Sequence, residues 1–439
     1  MTNLLLCGKI YYQHRCSNVS FDRQFMEEKN MKKLLATVLA CLMCAYAAVS
    51  MTSCSNKPAG NTDGDNQTSG EKILYIGAYE PASGENGAGG KQEVLGMEYA
   101  NSLVPTVTLG GEEYTIKLVT ADNQSSTDKA VSAASELVSK NVSVVLGSYG
   151  SGVSIAAADT FAAAKIPAIG CSCTNPAVTL GNDYYYRVCF LDPFQGTVMA
   201  NYAKSVGAEK AYVLSQLGDD YSTGLATYFQ KAFEDLGGTV VTGEFPKDTS
   251  DFTTYLTTAK NEDVDVFFAP SSIQSASLII AQASNLDVEF PIMAGDTWEH
   301  SAIIEAAKGT NLTIALSTFF DEHDEGATAA EFVTGFKAWL NANDAKKANN
   351  GGNDIVAAVS ALGYDAYMTA IEAIKAADSA DSEKIAEAMS GVEYTGVTGG
   401  ISFDENGDAK KDMAFIKTVD TEAGEFKFVK TQTVADLAD

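Results

Sequence analysis

Residues Val142 to Pro176 read VSVVLGSYGSGVSIAAADTFAAAKIPAIGCSCTNP, and they narrow the fold more than any other stretch. An unbroken apolar run, Val142 to Leu146, enters a Gly/Ser loop. An Ala-rich segment of helical length follows from about Ser151, then a second apolar run, Ile166 to Ile169, and a loop of small hydroxyl and thiol residues. Short apolar runs without alternation fit strands covered on both faces, and with a helix between them they make a βαβ unit. Both loops then leave the carboxyl ends of their strands, where open α/β sheets bind ligands. Ser148, Ser151, Ser172, Cys173 and Thr174 stand there beside backbone N–H groups that Gly150 and Gly152 leave accessible. Such a cradle suits a small anion, most simply a carboxylate, and a helix N-terminus near Ser151 adds 0.3 to ~1 kcal/mol to a bound negative charge. Ser and Thr are also the preferred helix N-caps, so the local pattern alone fits plain capping too.

The same alternation runs on both sides of this unit. A strand is predicted near Ile73 to Tyr79, a Gly-rich loop over Ser83 to Gly90, a helix from about Lys91 to Leu103, a strand over Tyr114 to Thr120, and a helix over Thr127 to Ser139. The pattern repeats with strands over Ala211 to Ser215, Thr239 to Phe245, Asp265 to Ala269 and Pro291 to Gly295. Helices are expected between them, over Thr223 to Leu236, from about Phe252 to Lys260, and over Gln274 to Ser284. Helices return over Ala327 to Asn341 and Asp354 to Ala377, separated by a polar loop, Asn343 to Asn353. Phe403 to Asp408 (FDENGD) holds an Asn-Gly turn between two strands. Strands alternating with helices of this length imply an α/β fold with two doubly wound, parallel-sheet lobes.

A chain of 439 residues is too long for one simple core. Its formal charge of -27 is spread along its length, which argues against nucleic acid and against a polybasic membrane contact. Lys32 and Lys33 precede an apolar run, Leu34 to Val49, and then Ser50, Met51, Thr52, Ser53 and Cys54, the pattern of a secretory signal. Sixteen apolar residues interrupted by two cysteines are short for a span of about 20. Residues 1–30 do not fit in front of such a signal, so Met31 is the expected start. Loss of residues 1–53 removes six basic and three acidic residues, taking the charge from -27 to -30. Ser55 to Gly70 is polar and has little to bury, a flexible tether. Apart from Cys54 the mature chain keeps Cys171, Cys173 and Cys189, an odd number, which gives no disulfide framework. The C-x-C spacing lacks a second pair or a nearby histidine, so small buried residues are expected rather than a metal site.

Several chemistries fail on spacing. GENGAGGK (Gly84 to Lys91) puts its first glycine one place early for a phosphate loop, with Gln92 where Ser or Thr should hold magnesium. DENGD at Asp404 has Ala409 at the glycine position and Phe415 at the bidentate glutamate position of a calcium loop. His300 and His323, the mature chain's two histidines, lie in no nucleophile or metalloprotease pattern. Neither an enzyme nor a cofactor is implied.

The lobes, the export signal and the hydroxyl loops together resemble the type I periplasmic binding proteins, within them the leucine/isoleucine/valine-binding branch that feeds ABC importers. The resemblance rests on Val142 to Pro176, LGDDYSTGLA (Leu217 to Ala226), ALGYDAYMTAIEAI (Ala361 to Ile374) and GISFDENGD (Gly400 to Asp408), and covers nearly all of residues 72–439. It implies a Venus-flytrap with three crossovers, near Leu191, Phe320 and Thr395. Lobe 1 would comprise residues 72–191 and 320–395, and lobe 2 residues 192–319 and 396–439. It implies an amino-acid carboxylate and amine held by Ser151, Ser172 and Thr174, an aromatic closing at Tyr221, and Asp296 receiving the ammonium. Gly89 stands where branched-chain binders often carry an aromatic, and Ser271 with Ser272 replaces a tyrosine pair; the pocket is expected to be roomier or more polar, with Trp298 filling part of it. The signal resembles that of a bacterial lipoprotein, which implies a diacylglycerol on Cys54, with Met51 departing from the usual Leu. The implied partners are a small-molecule ligand, an amino acid first, and an ABC permease, for a monomeric protein on the outer side of the bacterial membrane. The alternative is a sensory module for a small amide, peptide or aromatic acid.

Overall fold

The computed structural model describes residues 71–323 and 327–435. The expected signal, the Cys54 attachment point and the tether up to Gly70 lie outside the described residues. From Lys72 onward, β1 (Lys72–Glu80), β2 (Thr106–Leu109), β3 (Glu112–Asp122), β4 (Val144–Leu146), β5 (Ala168–Gly170) and β6 (Tyr185–Arg187) form one sheet in the order β2-β3-β1-β4-β5-β6. All neighbours in it are parallel except β2, which returns antiparallel on β3. Its helices are α1 (Gly87–Leu103), α2 (Thr127–Ser139) and α3 (Ser151–Ala163). The opening βαβ reading therefore holds, with β4 and β5 adjacent and α3 between them in sequence.

After α4 (Asp192–Ser205) comes a second sheet. It contains β7 (Lys210–Gln216), β8 (Thr239–Phe245), β9 (Val266–Phe268), β10 (Ile292–Ala294) and β11 (Ile314–Thr318), with α5 (Asp220–Asp235), α6 (Thr253–Asn261), α7 (Ile273–Asn285) and α8 (Ser301–Ala307). The chain then goes back to the first lobe with α9 (Ala327–Asn341), α10 (Asp344–Asn349), α11 (Ala358–Ala377) and α12 (Ser382–Met389). A small hairpin, β12 (Glu393–Gly396) and β13 (Gly399–Ser402), follows. Then β14 (Met413–Asp420) and β15 (Glu425–Thr433) add antiparallel strands to the second sheet, in the order β15-β14-β11-β10-β9-β7-β8. This is a two-lobed flytrap of parallel-dominated sheets whose chain passes between the lobes three times. Among the described residues no helix is long and apolar enough to cross a membrane.

Each sheet has an apolar layer on both faces, which is why its central strands read as unbroken hydrophobic runs. On the first sheet, one layer joins Leu95, Met97, Leu362, Ala366 and Ile374 of α1 and α11, and the other joins Leu137, Val153 and Phe161 of α2 and α3. Helices α1 and α11 cross so closely that a Cβ on Gly96 would lie 1.9 Å from Ser360 O, and one on Gly363 would lie 2.2 Å from Glu93 O. Only glycine fits at either place, and the contact fixes where Glu93 sits.

Several boundaries differ from the sequence reading. The expected loop Ser83 to Gly90 is already helical from Gly87, because Gly87, Gly89 and Gly90 lie where a Cβ would meet Ala82, Tyr149 or Pro81, so close packing rather than loop freedom explains the glycine run. The expected loop Asn343 to Asn353 contains α10, started by Asn343 Oδ1 accepting from Ala345 N and Lys346 N. The long helix starts at Ala358 rather than Asp354, where Glu299 Oε2 accepts from Ala358 N at 3.0 Å.

Candidate functional site

The cleft between the lobes is built from loops at the carboxyl ends of β1, β4 and β5 on one side and of β7, β9 and β10 on the other. Ser151 opens α3, and its Oγ accepts from Asn175 N at 3.2 Å, tying the two loops of the βαβ unit together. Ser172 is buried, and its hydroxyl donates to Glu93 Oε1. Thr174 Oγ1 faces the Asp192 carboxyl, yet neither the hydroxyl nor the two carboxyl oxygens has a well-formed hydrogen bond. Ser148 lies behind the loop, fully buried, where its hydroxyl accepts from Asn123 Nδ2 at 2.9 Å and reaches Glu80 Oε2 at 3.5 Å. The Cys173 thiol packs with Phe161 and Tyr185 in the α2/α3 core layer, because alternation along the chain turns it away from Ser172 and Thr174.

On the second lobe, Asp296 follows β10 and begins a single helical turn, Asp296–Trp298. Asp296 Oδ1 accepts from Gln195 Nε2 at 2.8 Å and from the Tyr221 hydroxyl at 3.1 Å, while Oδ2 is buried without a donor. Tyr221 sits in the first turn of α5, which begins three residues earlier than its sequence suggests because Asp219 Oδ1 accepts from Ser222 N. Ser271 Oγ accepts from Trp298 Nε1 at 3.3 Å, and Ser271 O accepts from the Thr297 hydroxyl at 2.9 Å. Trp298 is fully buried among Leu316, Ile303 and Ile280, so it fills the lobe's own core and not the pocket.

The lobes meet directly. The Tyr149 hydroxyl reaches Thr297 O at 3.5 Å, Asn175 Nδ2 donates to Asp220 O at 2.7 Å, and Ile273 N donates to Asn86 Oδ1 at 3.3 Å. A cavity of about 50 Å³ remains between them, lined by Tyr149, Ser151, Tyr221, Ser272 and Thr297 among others. The space expected over Gly89 is not empty: a Cβ there would lie 2.3 Å from the Tyr149 ring. An aromatic therefore covers the site after all, supplied by the loop after β4 instead of by α1. A larger hollow of about 660 Å³ lies at the crossovers, lined by Phe190, Phe319, Tyr394, Thr398 and Lys411, and contains none of the cleft hydroxyls or acids.

Buried acids dominate the electrostatics, and of these Asp192, Glu93 and Glu80 were missed by the sequence reading while Asp296 was expected. Burial raises Asp192 to about 8, Glu93 to about 7 and Asp296 to about 6, with hydrogen bonds opposing the rise in each case. Glu80 is raised well above the carboxylate range by burial and then by Glu93. Glu80 ends β1, a position open to the same strand-end argument as Ser148. Glu93 lies within the helix expected from Lys91 and carries no local pattern; only the close crossing of α1 and α11 buries it. Behind the site, Arg187 donates to Asp408 Oδ1 (2.5 Å), Cys173 O (2.7 Å), Asn175 O (2.6 Å) and Thr179 Oγ1 (2.9 Å), clamping the cradle loop to the FDENGD turn.

The family described as periplasmic binding protein matches residues 74–424. The chain belongs to that family. Among its relatives in the periplasmic binding protein family is a Leu/Ile/Val-binding protein homolog 1 of Brucella suis, 27% identical over 346 residues, covering 77% of this chain and 88% of the relative. A leucine binding protein, LivK, from Thermotoga maritima is 31% identical with a TM-score of 0.74, covering 83% of this chain and 100% of its own. The branched-chain amino acid transporter substrate binding protein LivJ of Streptococcus pneumoniae, solved with isoleucine, is 27% identical with a TM-score of 0.72, covering 83% and 99%. A Rhodopseudomonas palustris solute binding protein solved with benzoate shares the fold at 20% identity and a TM-score of 0.70, covering 82% and 96%.

Proposed function

We propose that this protein is an extracytoplasmic solute-binding protein of an ABC importer, capturing an amino acid between its lobes and presenting the closed form to a permease. The observation that carries this is a pair of unfilled groups on opposite lobes. Asp296 Oδ2 on the second lobe is a buried acceptor without a donor, and Thr174 Oγ1 on the first is a buried hydroxyl opposed only by the Asp192 carboxyl, without a well-formed hydrogen bond. An α-amino acid supplies an ammonium for one and a carboxylate for the other, with Ser151 and the N-terminus of α3 beside the carboxylate. Tyr221 and Gln195 hold Asp296 Oδ1 and leave Oδ2 for the ligand. Closure follows because the ligand touches both lobes and so favours the closed state over the open one. The LivJ and LivK relatives support the same reading.

The test is calorimetry against the twenty amino acids with Asp296→Asn. A charge-assisted hydrogen bond contributes about 1.5–3 kcal/mol, so the variant should bind about 10- to 150-fold more weakly. Unchanged affinity removes Asp296 from the site. The proposal includes a lipid anchor at Cys54, for which Cys54→Ala should abolish incorporation of labelled palmitate and move the protein from the membrane to the soluble fraction. Retention of both would place the anchor elsewhere.

A further inference from the structure

An amino acid with an uncharged side chain needs one carboxylate from its binding protein, and Asp296 provides it. Two more are buried behind the residues that line the cavity. Glu80 and Glu93 lie beneath the cradle loops, and a carboxylate oxygen of each lies within 4.8 Å of the other and of the Cys171 sulfur. Glu80 Oε2 accepts from Tyr149 N at 2.8 Å, and Glu93 Oε1 accepts from the Ser172 hydroxyl. The other oxygens, Glu80 Oε1 and Glu93 Oε2, are fully buried and lack a well-formed hydrogen bond, the two carboxyls lying against one another and the Cys171 thiol. Both acids are therefore attached to residues of the cradle, with the rest of their hydrogen-bonding capacity turned on each other.

The cations nearby are already committed. Arg187 is taken by Asp408 and three backbone carbonyls, and Lys417 by Glu299 and Asp321. Lys411 is taken by Thr398. At the mouth, Glu85, Asp219 and Asp220 line the cavity and no Lys or Arg does; Lys247 acts on Glu85 and Asp219 from beside it. Two buried carboxylates this close cannot both ionise without a cation between them, and they share a proton in its absence.

Building on the amino-acid reading above, we propose that Glu80 and Glu93 form a side-chain subsite for a second cationic nitrogen, making the ligand a basic amino acid rather than a branched aliphatic one. In this arrangement the α-ammonium meets Asp296, and the side-chain cation displaces the proton shared by Glu80 and Glu93. The Cys171 sulfur completes a group that could also hold a metal ion, and titration with the metal alone separates that occupant from a ligand cation.

The experiment is calorimetry on the purified protein with L-ornithine, L-lysine, L-arginine, L-leucine, L-isoleucine, benzoate, and magnesium or zinc chloride alone. The expected result is that one basic amino acid binds at least about tenfold more tightly than leucine or isoleucine, and that Glu93→Gln and Glu80→Gln each collapse that ratio about tenfold or more. Should one variant fail to fold, the ratio in the other decides. Tighter binding of leucine or isoleucine overturns the proposal while leaving the amino-acid reading intact. A preference for basic ligands that survives both substitutions overturns it as well, and so does saturable binding of the metal alone to the wild type that Glu93→Gln removes. Binding of benzoate with no response to any amino acid overturns the amino-acid reading itself.

Discussion

Asp408→Ala tests the link between the far end of the chain and the cradle loop. Arg187 is fully buried, and Asp408 supplies its one carboxylate; Thr179 Oγ1 also donates to Asp408 Oδ1, at 2.8 Å. Removing the carboxylate leaves a buried guanidinium whose remaining partners are neutral oxygens, a loss of about 3–5 kcal/mol when one member of a buried pair is deleted. Because Cys173 O, Asn175 O and Thr179 still hold the guanidinium, the cost belongs at the lower end, about 3 kcal/mol. For a chain this long that is a fall in melting temperature of about 4 °C, measured by circular dichroism. Ligand affinity should fall in the same variant, since residues 173–176 carry both Arg187's acceptors and Thr174. The double variant Arg187→Met/Asp408→Leu should recover most of the stability, because apolar side chains of similar volume need no partner. A loss below about 1 kcal/mol for Asp408→Ala, or a double variant worse than the single one, would refute the argument that this charge pair organises the loop.

Two further expectations follow from the packing and the buried acids. Gly96→Ala should destabilise by about 1–3 kcal/mol in chemical denaturation despite alanine's better helix propensity, since the new Cβ meets the Ser360 carbonyl; a more stable variant would mean that α1 and α11 cross less closely. Between pH 8.5 and 7 the ligand-free protein should become more stable as the pH falls. Asp192 near 8 and Glu93 near 7 bind protons in the folded state in that window, where the unfolded carboxyls stay ionised. His300, lowered by burial to about 4, is neutral throughout it. A melting temperature that rises with pH over this window would show that these carboxyls are not held protonated by the fold.

The sequence alone determined the alternation of strands and helices, and with it two parallel-sheet lobes whose strand ends carry the site. Apolar runs such as Val142 to Leu146 encode burial on both faces, a local signal that needs no partner to be read. Ser151, Ser172, Thr174, Tyr221 and Asp296 could be placed in strand-end loops for the same reason, while the roles proposed for them came from the family resemblance. What each side chain touches was decided only by tertiary structure. Ser148 and Ser172 are bonded to glutamates 68 and 79 positions away in sequence, and Cys173 faces the core. Gly89 looked like empty space until Tyr149, 60 residues later, proved to fill it. Glu80, Glu93, Arg187 and Asp408 carry no local pattern, because a buried charge is defined by the partner the fold brings to it.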